Sequence, residues 1–128
     1  MNRAWIGTAV AVVIISTADA ASIQRNVRSG TPVLVWTYRN VDAYCNDMPG
    51  TVKVVTRPAH GRISQHAVRS PMTGVRFGSA RCVGQVSTGL EVRYQSVSGF
   101  RGIDTFTLEA DWAANNRHET DTFTMEVQ

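Results

Sequence analysis

The sequence predicts an all-β domain, an antiparallel sandwich of about seven strands, and three observations carry that prediction. Short runs alternating apolar and polar residues recur along the chain. Turn residues interrupt them about every 8 to 12 positions, and no stretch holds a convincing helical period. The most informative stretch is Tyr94 to Phe106, where Gly99 and Gly102 bracket Phe100 and Arg101 between two such runs. Upstream, Leu90, Val92 and Tyr94 share one face; downstream, Phe106, Leu108 and Ala110 do. The two glycines can take positive φ without steric cost, and Asp104 is placed to accept backbone N–H groups as the chain leaves the turn.

Taken in order, Met1 to Ala20 begins with Arg3, continues through an apolar run over Ala9 to Ile15 and closes on Ala18-Asp19-Ala20, a small-residue cleavage pattern. This reads as a secretory signal peptide cut after Ala20, because the apolar core falls short of the roughly 20 residues a spanning helix needs. The alternative is an uncleaved anchor. The remainder, residues 21–128, fits one domain with a modest core and no expected transmembrane segment.

Ser22 to Val27 is a weakly patterned first edge strand. After the Ser29-Gly30-Thr31-Pro32 turn, Val33 to Tyr38 is a β-branched and aromatic run in which Val33 and Val35 compete with Trp36 and Tyr38 for the inner face, so its parity is open. Arg39 to Gly50 is rich in Asn, Asp and Gly and reads as a loop. Thr51 to Thr56 is a strand that stops before Pro58, a turn follows at Pro58 to Gly61, and Arg62 to Gln65 resumes a short strand. Ser70 to Gly74 turns again, Val75 to Phe77 is a short run, and Gly78 to Gly89 is a loop or irregular edge. Ala113 to Asp121 is a polar loop before the closing strand Thr122 to Val127. The expected core is Val33, Val35, Val52, Val54, Ile63, Leu90, Val92, Tyr94, Phe106, Leu108, Phe123, Met125 and Val127, with Trp36 joining it.

Cys45 and Cys82 are the two cysteines of the chain, and an even count in an exported protein predicts a structural disulfide between them. In the chain-entropy account such a cross-link stabilises by roughly 3–4 kcal/mol. A redox role is disfavoured because no C-x-x-C spacing is present. The loss of Arg3 and Asp19 with the leader leaves the net charge at +3. The basic residues, nearly all Arg, are scattered, unlike the basic blocks of nucleic-acid-binding arms.

Two motifs in order carry a family resemblance. Val55-Thr56-Arg57-Pro58-Ala59-His60-Gly61-Arg62-Ile63 is followed by Tyr94 and then Gly99-Phe100-Arg101-Gly102-Ile103-Asp104-Thr105-Phe106-Thr107. Together they resemble the P-x-H-G, Y-x-P, G-F-x-G-x-D-x-F pattern of bacterial Ig-like, cadherin-like repeats, over residues 51–128. The resemblance implies an Ig-like sandwich on an exported protein, with Pro58, Gly61, Gly99, Gly102 and Asp104 as structural turn residues. The chain departs from the pattern in standing without tandem copies, in carrying Ser96 in place of proline, and in its cysteine pair. Some cadherin-like modules bind calcium, but Asp42, Asp47, Asp111 and Asp121 are scattered, without the clustered oxygen ligands calcium needs.

The search for chemistry is negative. His60, His66 and His118 do not have metal-ligand spacing, no G-x-S-x-G elbow is present, and neither phosphate-binding glycine motif occurs. Phe100 and Arg101 at a glycine-bracketed tip, and Trp112 beside a polar loop, are candidate binding residues, with packing the competing role of each aromatic. The expectation is a monomeric, exported, non-catalytic module without a cofactor, periplasmic or extracellular. It would bind an envelope protein or polysaccharide, not nucleic acid, through its loops or a strand edge. The alternative is a small secreted inhibitor or an accessory subunit of an envelope enzyme, whose Cys-bearing loop enters another protein's cleft.

Overall fold

A computed structural model describes residues 19–74 and 80–128. Residues 1–18 of the expected leader, and the expected run Val75–Phe77, lie outside the described residues; the leader's last two residues, Asp19 and Ala20, are the first of β1. Seven strands are found among them: β1 Asp19–Val27, β2 Val33–Tyr38, β3 Thr51–Thr56, β4 Gly61–Pro71, β5 Val86–Ser96, β6 Gly102–Trp112 and β7 Arg117–Val127. They form a sandwich of two sheets, one ordered β1-β7-β6-β3 and the other β2-β5-β4. The architecture is consistent with an Ig-like single domain. β1 runs parallel to β7, while the other pairings are antiparallel.

The inner faces meet through side chains set two apart on each strand, as pleated backbone requires. Phe106, Leu108, Ala110 and Trp112 of β6, Phe123, Met125 and Val127 of β7, and Val92 and Tyr94 of β5 are all buried. Their rings stack in a column, Tyr94 on Phe106 with centroids 5.7 Å apart and Phe106 on Phe123 at 4.7 Å. Each such side chain stabilises by about 1.5–3 kcal/mol on burial. Val33, Val52, Val54, Ile63 and Leu90 close the rim of this core, half-buried against it.

A bulge settles the open parity of β2. Leu34 pairs with Arg93 and Trp36 with Val92, leaving Val35 as the extra residue. The inserted residue resets the alternation, so Val35 and Tyr38 are both buried and Val33 and Trp36 both pack against the core.

β1 begins at Asp19, three residues before the expected Ser22, and three other elements are also longer than the sequence predicts. β7 starts at Arg117, because its first inward positions are the acids Glu119 and Asp121, which break the hydrophobic alternation; the expected nine-residue loop shrinks to a turn with Asn116 in the left-handed region at φ 51°. β4 runs to Pro71, not Gln65, along an exposed sheet edge with little apolar signal. β5 starts at Val86, inside the expected irregular loop, with Ser87 and Gly89 buried. Arg39 covers them: its guanidinium donates to Ser87 O at 2.7 Å, Ser87 Oγ at 2.8 Å and Ser70 O at 3.1 Å. A Cβ on Gly89 would lie 2.9 Å from the Arg39 side chain, so glycine is what lets the arginine cross the strand.

Candidate functional site

The turn residues expected from the sequence assemble at one end of the sandwich around Asp104. This buried carboxylate accepts the Ala59 N–H at 2.9 Å, the His60 N–H at 3.2 Å, the Thr105 N–H at 3.1 Å and the Tyr94 hydroxyl at 2.7 Å. Burial first, and the bond to Asp104 second, push the Tyr94 phenol well above its ordinary range. Gly61 follows the half-buried Pro58 and lies against the Tyr94 ring, where a Cβ would come within 2.5 Å of it. Gly99 and Gly102 take φ of 88° and 132°. Ser96, two residues after Tyr94, accepts the Gly30 N–H with its hydroxyl at 2.9 Å. The motif is thus a structural unit.

Phe100 belongs to that unit. Its ring stacks on His60 with centroids 4.0 Å apart and packs against the core, while Arg101 is exposed at the tip along with Val97 and Ile103. Trp112 is not part of this surface. It is 3% exposed and packs on Tyr38 at 6.3 Å, with Gly50 against its indole. It also closes the far end of β6, ten residues and about 34 Å of strand from Gly102. The three expected binding residues therefore do not converge, and as a surface anchor Trp112 is corrected to a core residue. The histidines are equally dispersed: His60 at the Asp104 end, His66 within β4, and His118 at the start of β7, paired with Asp111. That pair holds the Asp111 carboxyl below its ordinary range, chiefly through the hydrogen bond from His118. No cluster of three metal-binding groups occurs among the described residues.

The opposite end carries the disulfide, which joins Cys45 to a fully buried Cys82 within a small second core of Val41, Met72 and Cys82. Cys45 sits in a tight loop with φ 64°. The loop is closed at its base by a bridge between Val41 and Asp47 and by Met48 N donating to Asn40 O at 2.9 Å. Inside it, the Asp42 carboxylate accepts Tyr44 N at 2.8 Å, Asn46 N at 2.9 Å and the Asn46 amide at 3.1 Å, a set led by the Asn46 backbone bond that lowers its pKa. Asp47 accepts the Thr88 N–H at 2.9 Å, and Arg81 donates to Ala43 O. At the tip of this braced loop Tyr44 is 81% exposed. The disulfide sets it beside the segment of Val83, which is exposed too.

A cleft of about 460 Å³ opens at the same end, between Trp36, Tyr38, Asn40, Val41, Met72 and Glu119. The side-chain amide nitrogen of Asn40 is buried and has no hydrogen-bond partner among the described residues. Tyr38 donates its hydroxyl to Asp121 at 2.9 Å. Tyr44 is the residue that sequence reasoning missed. The signal for it was Asp42 and Asn46 flanking it at turn-capping distance next to a cysteine. No family model, curated protein or solved structure matches the chain.

Proposed function

We propose that this chain is an exported, non-catalytic Ig-like module that binds a protein partner in the envelope or medium through its disulfide-clamped end, with Tyr44 as anchor. The observation that carries this reading is the exposure of Tyr44 at 81% on a loop braced by Asp42, the Val41–Asp47 bridge and the disulfide. A loop held in one conformation loses little entropy on binding, and tyrosine offers a large amphipathic contact with few rotatable bonds. The Asp104 end supports binding less well, because Phe100 is engaged by His60.

The test is affinity capture of the tagged protein from the envelope and medium of its host, comparing wild type with Tyr44→Ala and with a Phe100→Ala, Arg101→Ala double variant. The reading requires a partner that is lost with Tyr44→Ala and kept by the double variant. The opposite pattern would move the site to the Asp104 end. A second reading draws on the same bracing: a rigid loop with a protruding side chain is the form by which a small inhibitor or accessory subunit fills an enzyme cleft. Inhibition or activation of the captured partner by wild type, but not by Tyr44→Ala, would select it.

A further inference from the structure

We infer that Asp121 is a docking site for an α-ammonium group, and that its ligand is the chain's own N-terminus, freed when the leader is cut after Ala20. This rests on the export reading and deepens it. Ala21 lies directly opposite Asp121 in the parallel β1–β7 ladder, and its backbone nitrogen donates to Asp121 Oδ1 at 2.9 Å. The atom that becomes the new terminus is thus already in contact with a carboxylate. Asp121 is fully buried, and its second oxygen accepts the Tyr38 hydroxyl at 2.9 Å. Glu119, two residues away on the same face of β7, is a second buried acid at this end.

The chemistry of processing changes this contact in kind. A leader peptidase adds water across the Ala20–Ala21 amide; Ala20 leaves as a carboxylate, and the Ala21 amine takes up a proton. A charge-assisted N–H to carboxylate bond becomes a full ion pair in a site withdrawn from water, where the attraction between unit charges is several times stronger than in bulk water. Ala21 is half-buried against the core, so the pair forms where β1 enters the sheet. Cleavage takes away the first two rungs of β1, Asp19 beside Glu119 and Ala20 beside Thr120, and leaves the ion pair to hold the new end of the strand, so the processed chain is more stable than the same chain with a neutral group on that nitrogen.

The experiment uses the full chain expressed for export and isolated from its host. Mass spectrometry of the intact protein first gives the N-terminal residue; a start other than Ala21 overturns both the processing site and this proposal. With Ala21 confirmed, the α-amine is acetylated and thermal unfolding compared. Acetylation is expected to lower Tm by about 5 °C, the scale of a single strong interaction in a domain of this size. In an Asp121→Asn background, which keeps an acceptor oxygen, acetylation should leave Tm unchanged. An amine-reactive probe near neutral pH should label the native terminus at least about tenfold more slowly than that of the Asp121→Asn variant, because the probe attacks only the unprotonated, undocked amine. Equal Tm for free and acetylated wild type refutes docking while leaving the export reading intact. That comparison needs no substitution, so it stands even if Asp121→Asn fails to fold.

Discussion

Replacing Asp104 with alanine removes one carboxylate and four hydrogen bonds. The cost can be worked from where the four donors lie. Tyr94 is completely buried, so its hydroxyl would be left without an acceptor, at about 1–3 kcal/mol. Ala59 and His60 are exposed residues, and water can take over part of what their N–H groups lose. The expected destabilisation is about 3–5 kcal/mol, which at about 5 °C per kcal/mol lowers Tm by about 15–25 °C. Urea unfolding should show a lower midpoint at unchanged slope. Tyr94→Phe alone leaves Asp104 its three backbone donors and should cost only about 1–2 kcal/mol. The two substitutions should not be additive, because the main penalty of Asp104→Ala is the stranded hydroxyl that Tyr94→Phe removes. A loss below about 1 kcal/mol for Asp104→Ala, or strict additivity with Tyr94→Phe, would refute the assignment of Asp104 as the keystone of this end.

Four further outcomes are expected. Because the folded Tyr94 pKa is raised, its contribution is intact below the unfolded value of 10.0 and is lost as pH rises above it, by about 1.4 kcal/mol per pH unit; unfolding curves of Tyr94→Phe should lack this alkaline decline. Asp111 has the opposite sign: its depressed pKa adds stability above the unfolded value of 3.8 that is lost as pH falls through the folded one, and His118→Ala should shrink that acid-side loss in pH-dependent unfolding. Tyr44→Ala should change stability by less than about 0.5 kcal/mol while weakening partner binding by about 2 kcal/mol or more in calorimetry. Gly89→Ala should displace Arg39 and cost about 1–3 kcal/mol, with Arg39→Ala cancelling much of that excess in a double-mutant cycle.

What the sequence made legible is what repeats with period two. Phe106, Leu108, Phe123, Met125 and Val127 announced their strands and their inner face, and the cysteine pair announced its bond. Asp104 was legible through its turn, but what stayed hidden is the start of two strands, where polar or small residues face inward. Glu119 and Asp121 concealed the first half of β7, and Ser87 and Gly89 concealed the start of β5; Asp121 is met by Tyr38 and Ala21, and Ser87 by Arg39, all far off in the chain. Trp112 was open between a binding role and packing, and the packing role is the one its surroundings give it. A tryptophan next to a polar stretch looks exposed until Tyr38 and Gly50 are seen to enclose it. Tyr44 was passed over because loop rigidity comes from Asp42 bonding its own neighbours, a local geometry that composition does not record.

The parallel pairing of β1 with β7 governs how the domain would carry mechanical load. Val27 lies beside Val127, while the start of β1 lies beside Glu119 and Thr120, so the outer ends of the pair, Asp19 and Val127, lie at opposite poles. Tension applied between them runs along the ladder and shears all its rungs at once, whereas an antiparallel hairpin pulled from its two free ends unzips rung by rung. Held from both ends, this sandwich would resist pulling through the very strand that makes its edge.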